Sequence, residues 1–228
     1  MSTLPNLTPF FHAFDSWLKY IYQLDVTFDF LILIIAGLIG FYSYKVYRFT
    51  TKRNYLLFCI SFLFIALGYS VKTGFDILVQ TESLRSEVFF GLIGFPVLSK
   101  LFMLSYMMLV LIGYVIMIVI SMRGNRKTAL LFMLLLVVSL FLSQSFFLTF
   151  SLSSIILLSF LLYHFNKNFS IKRTLNSGMV WYAFLLLTIS HIVSLFIIYS
   201  NKFYLLSNIM MMGAFLLLLL NYVMVLRK

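Results

Sequence analysis

One cysteine, three prolines and six acidic residues among 228 positions are what this sequence has least of. The single thiol, Cys59, rules out an internal disulfide and any site made of several cysteines. Lying in an apolar run, it reads as a buried structural thiol. Pro5, Pro9 and Pro96 all fall outside the long apolar runs, so none of those runs is broken as the helices of many transporters are. Charged residues make up 10% of the chain, against about 25% in a soluble domain. Hydrophobic residues reach 63%, a surplus that a soluble chain of this size has no interior to hold. An integral membrane protein is expected. Nucleic-acid binders, secreted disulfide scaffolds and soluble enzymes are set aside, despite a net charge of +11.

A membrane-crossing helix needs about 20 mostly apolar residues, because the hydrocarbon is about 30 Å thick and each residue rises about 1.5 Å. Such runs fall at 28–47, 55–75, 98–121, 128–142, 146–164, 179–199 and 203–226. The pattern predicts an all-α polytopic bundle of seven transmembrane helices, with 28–228 as one domain after a separate segment at 1–27. The stretch 127–165 has no glycine or proline and would be about 58 Å long as one helix. A hairpin is therefore placed at its central polar cluster, Ser143-Gln144-Ser145.

Thr8 and Pro9 suit an N-cap and a first helical position. Phe10, Phe14, Trp17, Leu18 and Ile21 then recur at helical spacing, opposite His12, Asp15, Ser16 and Lys19. This predicts an amphipathic helix on the outer membrane surface. A second short surface helix is expected within 76–96, from Leu84, Val88, Phe89 and Leu92. No basic n-region precedes the first apolar run, so a cleavable signal peptide is not expected.

Short loops rich in Lys and Arg stay on the cytoplasmic side. One set of loops and helix ends carries Lys45, Arg48, Lys52, Arg53, Arg123, Arg126, Lys127, Lys167, Lys172, Arg173, Arg227 and Lys228, whereas the other carries only Lys19, Lys72, Arg85, Lys100 and Lys202. The N-terminus is expected outside and the C-terminus in the cytoplasm. The positive charge is then read as contact with anionic headgroups at the inner face, on the order of 1 kcal/mol per residue. All six acidic residues fall on or near the outer face in this reading.

Ionisable groups inside the hydrocarbon are costly and usually functional. In the spans as drawn, the only deep one is His191, with Lys72 and Lys100 at outer helix ends and no buried carboxylate. Thr188 and Ser194 share a face with His191, and Gly213 and Ala214 sit at similar depth on the last span, small enough for close helix approach. Two readings stay open for His191: a neutral imidazole hydrogen-bonded within the bundle, or a ligand contact in a cavity between the last two spans with Thr188, Ser194 and Gly213. The serines of the fifth span, and Asn208 and Asn221 on the last, are expected to bond between helices. The methionines read as flexible packing, so no metal or other cofactor is expected. With no hydrolase motif and no paired buried carboxylates, an enzyme is not expected either.

The first inner loop reads Tyr44-Lys45-Val46-Tyr47-Arg48-Phe49-Thr50, followed by Arg53-Asn54-Tyr55-Leu56-Leu57-Phe58. The aliphatic last span runs from Gly213 to Asn221 and ends in Val225-Leu226-Arg227-Lys228. These segments resemble small seven-helix membrane proteins of archaea and bacteria, akin to the seven-transmembrane sensor modules of histidine kinases. The resemblance covers the first two spans and the last, and transfers no ligand residue. It implies a stand-alone sensor module in a prokaryotic plasma membrane, with a partner protein as its output. A receptor- or sensor-like protein for a small or lipid-like ligand is thus expected. The alternatives are an accessory subunit of a larger membrane complex, a homo-oligomer among them, or a channel or carrier for uncharged solutes.

Overall fold

A computed structural model describes residues 8–80, 95–121, 139, 143 and 145–226. All regular structure among them is helical: α1 (Thr8–Thr50), α2 (Arg53–Gln80), α3 (Phe95–Ser121), α4 (Phe146–Lys172), α5 (Leu175–Leu195) and α6 (Asn201–Leu226), with a 3₁₀ turn at Phe196–Ile198 before α6. Each has a stretch long and apolar enough to cross a membrane: Leu24–Thr50, Arg53–Val79, Val97–Ser121, Phe146–Ile171, Leu175–Leu195 and Lys202–Val225. The chain is a multi-pass helical membrane protein. The expected span at 128–142, apart from the helical Ser139, the basic residues Arg123, Arg126 and Lys127, and the residues Leu84, Val88, Phe89 and Leu92 of the expected surface helix lie outside the described residues.

The N-terminal segment is not a separate surface helix. Helix α1 runs unbroken for 43 residues through the 27/28 boundary, because no glycine or proline stands between Phe10 and Ala36 to stop it. Asp25 and Asp29 are thereby carried into the first span. Helix α2 likewise continues past the expected end of its span, so that Asp76 is helical. Helix α4 starts at Phe146 after Ser145, where the polar cluster placed a turn, and the Ser143 hydroxyl meets that of Thr149 in its first turn.

Two hairpins are tight. Helices α1 and α4 end in left-handed residues, Thr51 (φ 53°) and Arg173 (φ 47°). The Thr51 N–H donates to Tyr47 O and the Arg173 N–H to Phe169 O, both at 2.8 Å, the single-bond αL cap that satisfies a last-turn carbonyl. Thr174 then caps α5 by accepting from the Ser177 N–H.

Contacts run from each helix to the next and back from α6 to α1, so the six helices close a ring around a core that includes Phe62, Tyr69, Met107, Phe184 and Phe215. Apolar side chains such as Phe41, Leu67, Ile156 and Leu220 point outward, as lipid requires. Helices α2 and α3 approach closely at Gly68 and Gly113. A Cβ added at Gly113 would lie 2.9 Å from Ser61 O and 2.7 Å from Ile65 Cγ1, and the Ser61 hydroxyl donates to Gly113 O at 2.8 Å. Gly213 was expected to allow such an approach, but a Cβ there would meet nothing within 4 Å. Its neighbour Ala214 is the buried one.

The early part of α3 (Met103, Met107) shares one cavity with the early part of α4 (Phe147, Phe150), and the late part of α3 (Ile118, Ser121) shares another with the late part of α4 (Phe160, His164). Helices α3 and α4 therefore run parallel. The bundle has an acidic end, where α1, α3, α4 and α6 begin, and a basic end with exposed Lys45, Arg48, Lys52, Arg53, Lys167 and Arg173.

Candidate functional site

Asp25 and Asp29 stand one turn apart on α1, so both carboxylates project from one face. Both are buried, Asp29 at 3% exposure. Lys72, late on α2, reaches between them: its Nζ lies 2.5 Å from Asp29 Oδ2 and 3.4 Å from Asp25 Oδ2. From α6, Asn208 donates through Nδ2 to Asp25 Oδ1 at 2.8 Å. The expectation of no carboxylate within the bundle is thus overturned, and Lys72 does not simply snorkel at a helix end. Two unpaired carboxylates would be prohibitively costly to bury, and the ammonium and amide offset that cost.

Asp76, one turn beyond Lys72, brings a carboxylate oxygen within 4.8 Å of those of Asp25 and Asp29. Asp25 and Asp29 share the one ammonium of Lys72.

This cluster opens on a cavity of about 120 Å³. Asp29 and Lys72 line one side, His191 and Ser194 of α5 another, and Tyr69, Tyr106 and Phe150 supply aromatic walls. Lys72 Nζ lies 5.8 Å from the centre of the Tyr106 ring. The Tyr69 hydroxyl donates to the Met211 sulfur at 2.7 Å, which fixes that wall. The volume suits a short file of waters or one small solute.

His191 is 2% exposed and its Nε2 has no hydrogen-bond partner. Its ring is held edge-on by Phe150 and Tyr114, at centroid distances of 5.6 and 6.3 Å. The Tyr114 hydroxyl is also buried without a partner. Buried polar atoms are normally satisfied, and Nε2 is the one atom of this imidazole left buried without a partner. Ser194 shares the cavity with His191, donates to His191 O at 2.7 Å and lies 3.3 Å from the Ser151 hydroxyl of α4. Thr188 is buried, but its hydroxyl is spent on Phe184 O, and neither it nor Gly213 lines the cavity. The expected interhelical bonds are present in part: Ser151 of α4 meets Ser194 of α5 and Asn208 joins α6 to α1, while Ser207 of α6, not among those expected, donates to Ser190 O of α5 at 2.9 Å.

Of the four residues singled out from sequence, two reach the site. Asp25, Asp29, Lys72 and Asn208 were not among them, although Asp25 and Asp29 at i, i+4 in a run without helix breakers were a readable signal. No protein-family model matches this chain, and neither the curated proteins nor the solved structures provide a match.

Proposed function

We propose that this chain is a receptor- or sensor-like seven-helix membrane protein without enzymatic activity, and that its ligand is a small ammonium-bearing solute bound in the cavity at the acidic end. The observation that carries the reading is the buried Asp25–Lys72–Asp29 group opening on the same cavity as the unpartnered His191 Nε2. Ionisable groups are kept inside a membrane for a task. Two buried carboxylates sharing one ammonium favour a cation, the aromatic walls add cation–π attraction, and His191 Nε2 offers a hydrogen bond. The seventh crossing is supported by the parallel run of α3 and α4, since the chain leaves α3 at the basic end and enters α4 at the acidic end. The concentration of Lys and Arg at the basic end supports a cytoplasmic placement for it, with the N-terminus outside, in a prokaryotic plasma membrane. Binding would shift the charge-linked α1, α2 and α6, and a partner protein at the basic face would read that shift.

The test is thermal unfolding of the purified protein with methylamine, ethanolamine and choline, alongside crosslinking on the basic face. Stabilisation by an amine, lost in Asp29→Asn, supports the reading. No stabilisation and no crosslinked partner sink it. A second reading, a carrier for small cations, is favoured by the proximity of Asp25, Asp29 and Asp76. Proteoliposomes that pass no labelled methylamine would remove it.

A further inference from the structure

We infer that the cavity at the basic end is a second binding site, separate from the first, and that it takes a phosphorylated polyol. At about 560 Å³ it is large enough for a ligand. The first turns of α2 and α5 line it through Asn54, Asn176 and Ser177, beside Lys52, while Asn168 of α4 and Asn221 of α6 close it. Asn208, at the first cavity, and Asn221 stand on one helix about 20 Å apart by helical rise.

Charge selects an anion here. The six acidic residues of the chain all precede position 88 and none lies between Asp29 and Asp76, and no carboxylate among the described residues lines this cavity. Lys52 is exposed at its edge, with Arg53 and Arg173 beside it in sequence at the same end. The beginnings of α2 and α5 present the positive ends of their dipoles. Helix C-termini share this face, so the dipoles alone decide little, and the ammonium in an acid-free surround tips the balance.

Hydroxyl groups are selected by the amides. Asn221 is 7% exposed, lines the cavity and has a side-chain oxygen that accepts no hydrogen bond. A bare phosphate dianion has little to donate to it. A ligand that carries alcohols next to a phosphate satisfies both Asn221 Oδ1 and Lys52, and side-chain amides pair well with alcohols because each both donates and accepts. The same chemistry comes as the headgroup of a phosphoglycerol lipid or as a free polyol phosphate.

The experiment is thermal unfolding of the full chain in phosphatidylcholine nanodiscs with glycerol 3-phosphate or inorganic phosphate added, and in nanodiscs doped with phosphatidylglycerol. Glycerol 3-phosphate that stabilises more than phosphate supports the proposal with a soluble source; phosphatidylglycerol alone stabilising supports it with a lipid source. Titrations should then show at least tenfold weaker binding in Lys52→Ala, whose exposed side chain is not needed for folding, and in Asn221→Leu. Equal effects of phosphate and glycerol phosphate without any lipid effect, no stabilisation by any probe, or binding unchanged in both variants would overturn it.

Discussion

The ammonium of Lys72 lies 2.5 Å from the carboxylate of Asp29 in a bundle whose sequence is only 10% charged. Truncation at either end of this contact strands a charge among apolar neighbours. Lys72→Met should destabilise the protein by on the order of 2–4 kcal/mol, somewhat under the usual cost of breaking a fully buried pair, because a quarter of the Lys72 side chain stays exposed. Asp29→Asn combined with Lys72→Met should recover part of that loss. A double-mutant cycle by denaturant unfolding in detergent measures it, and additive effects would mean the two groups do not interact.

At His191 the expectation has the opposite sign. A phenylalanine matches the ring held by Phe150 and Tyr114 and removes the unpaired nitrogen. Replacing an unsatisfied buried group by an apolar one of similar shape is near neutral or favourable. His191→Phe should melt at or above the wild-type temperature yet lose ligand-induced stabilisation. A clear drop in melting temperature would show that Nε2 is bonded after all.

Glycines separate close packing from open space. Gly113→Ala forces a methyl against Ser61 O and Ile65 and should cost about 1–3 kcal/mol, the usual penalty of overpacking. Gly213→Ala meets nothing and should gain up to about 1 kcal/mol from helix propensity. Parallel thermal melts of the two variants decide this, and equal shifts would contradict the α2–α3 approach.

Thr51 holds a left-handed conformation at φ 53° with a β-branched side chain, which is strained. Thr51→Gly should stabilise by about 1 kcal/mol, while Thr51→Val should destabilise. Both are read from denaturant midpoints.

Much of this architecture was legible from apolar run length alone. The start of α4 at Phe146 was legible in one polar cluster, the only such cluster near the middle of that apolar stretch. Gly213 misled because smallness only permits a close approach, and which glycine receives one depends on the helix opposite. The charge cluster stayed hidden for a related reason. Drawing the first span from residue 28 left Asp25 outside it, and hydropathy averaged over a whole span dilutes one carboxylate among aliphatic neighbours. Lys72, 47 positions on, acquires its meaning only when α2 packs back on α1.

The bond between Asp25 and Asn208 spans 183 positions, nearly the whole chain, and this has a bearing on biogenesis. During synthesis α1 emerges before α2 and α6, carrying two carboxylates that oppose insertion. Their ammonium arrives with α2 and their amide only with α6. Helix α1 therefore has reason to wait at the translocon for α2 and enter the bilayer paired with it, and α6, made after the other five, seals the ring.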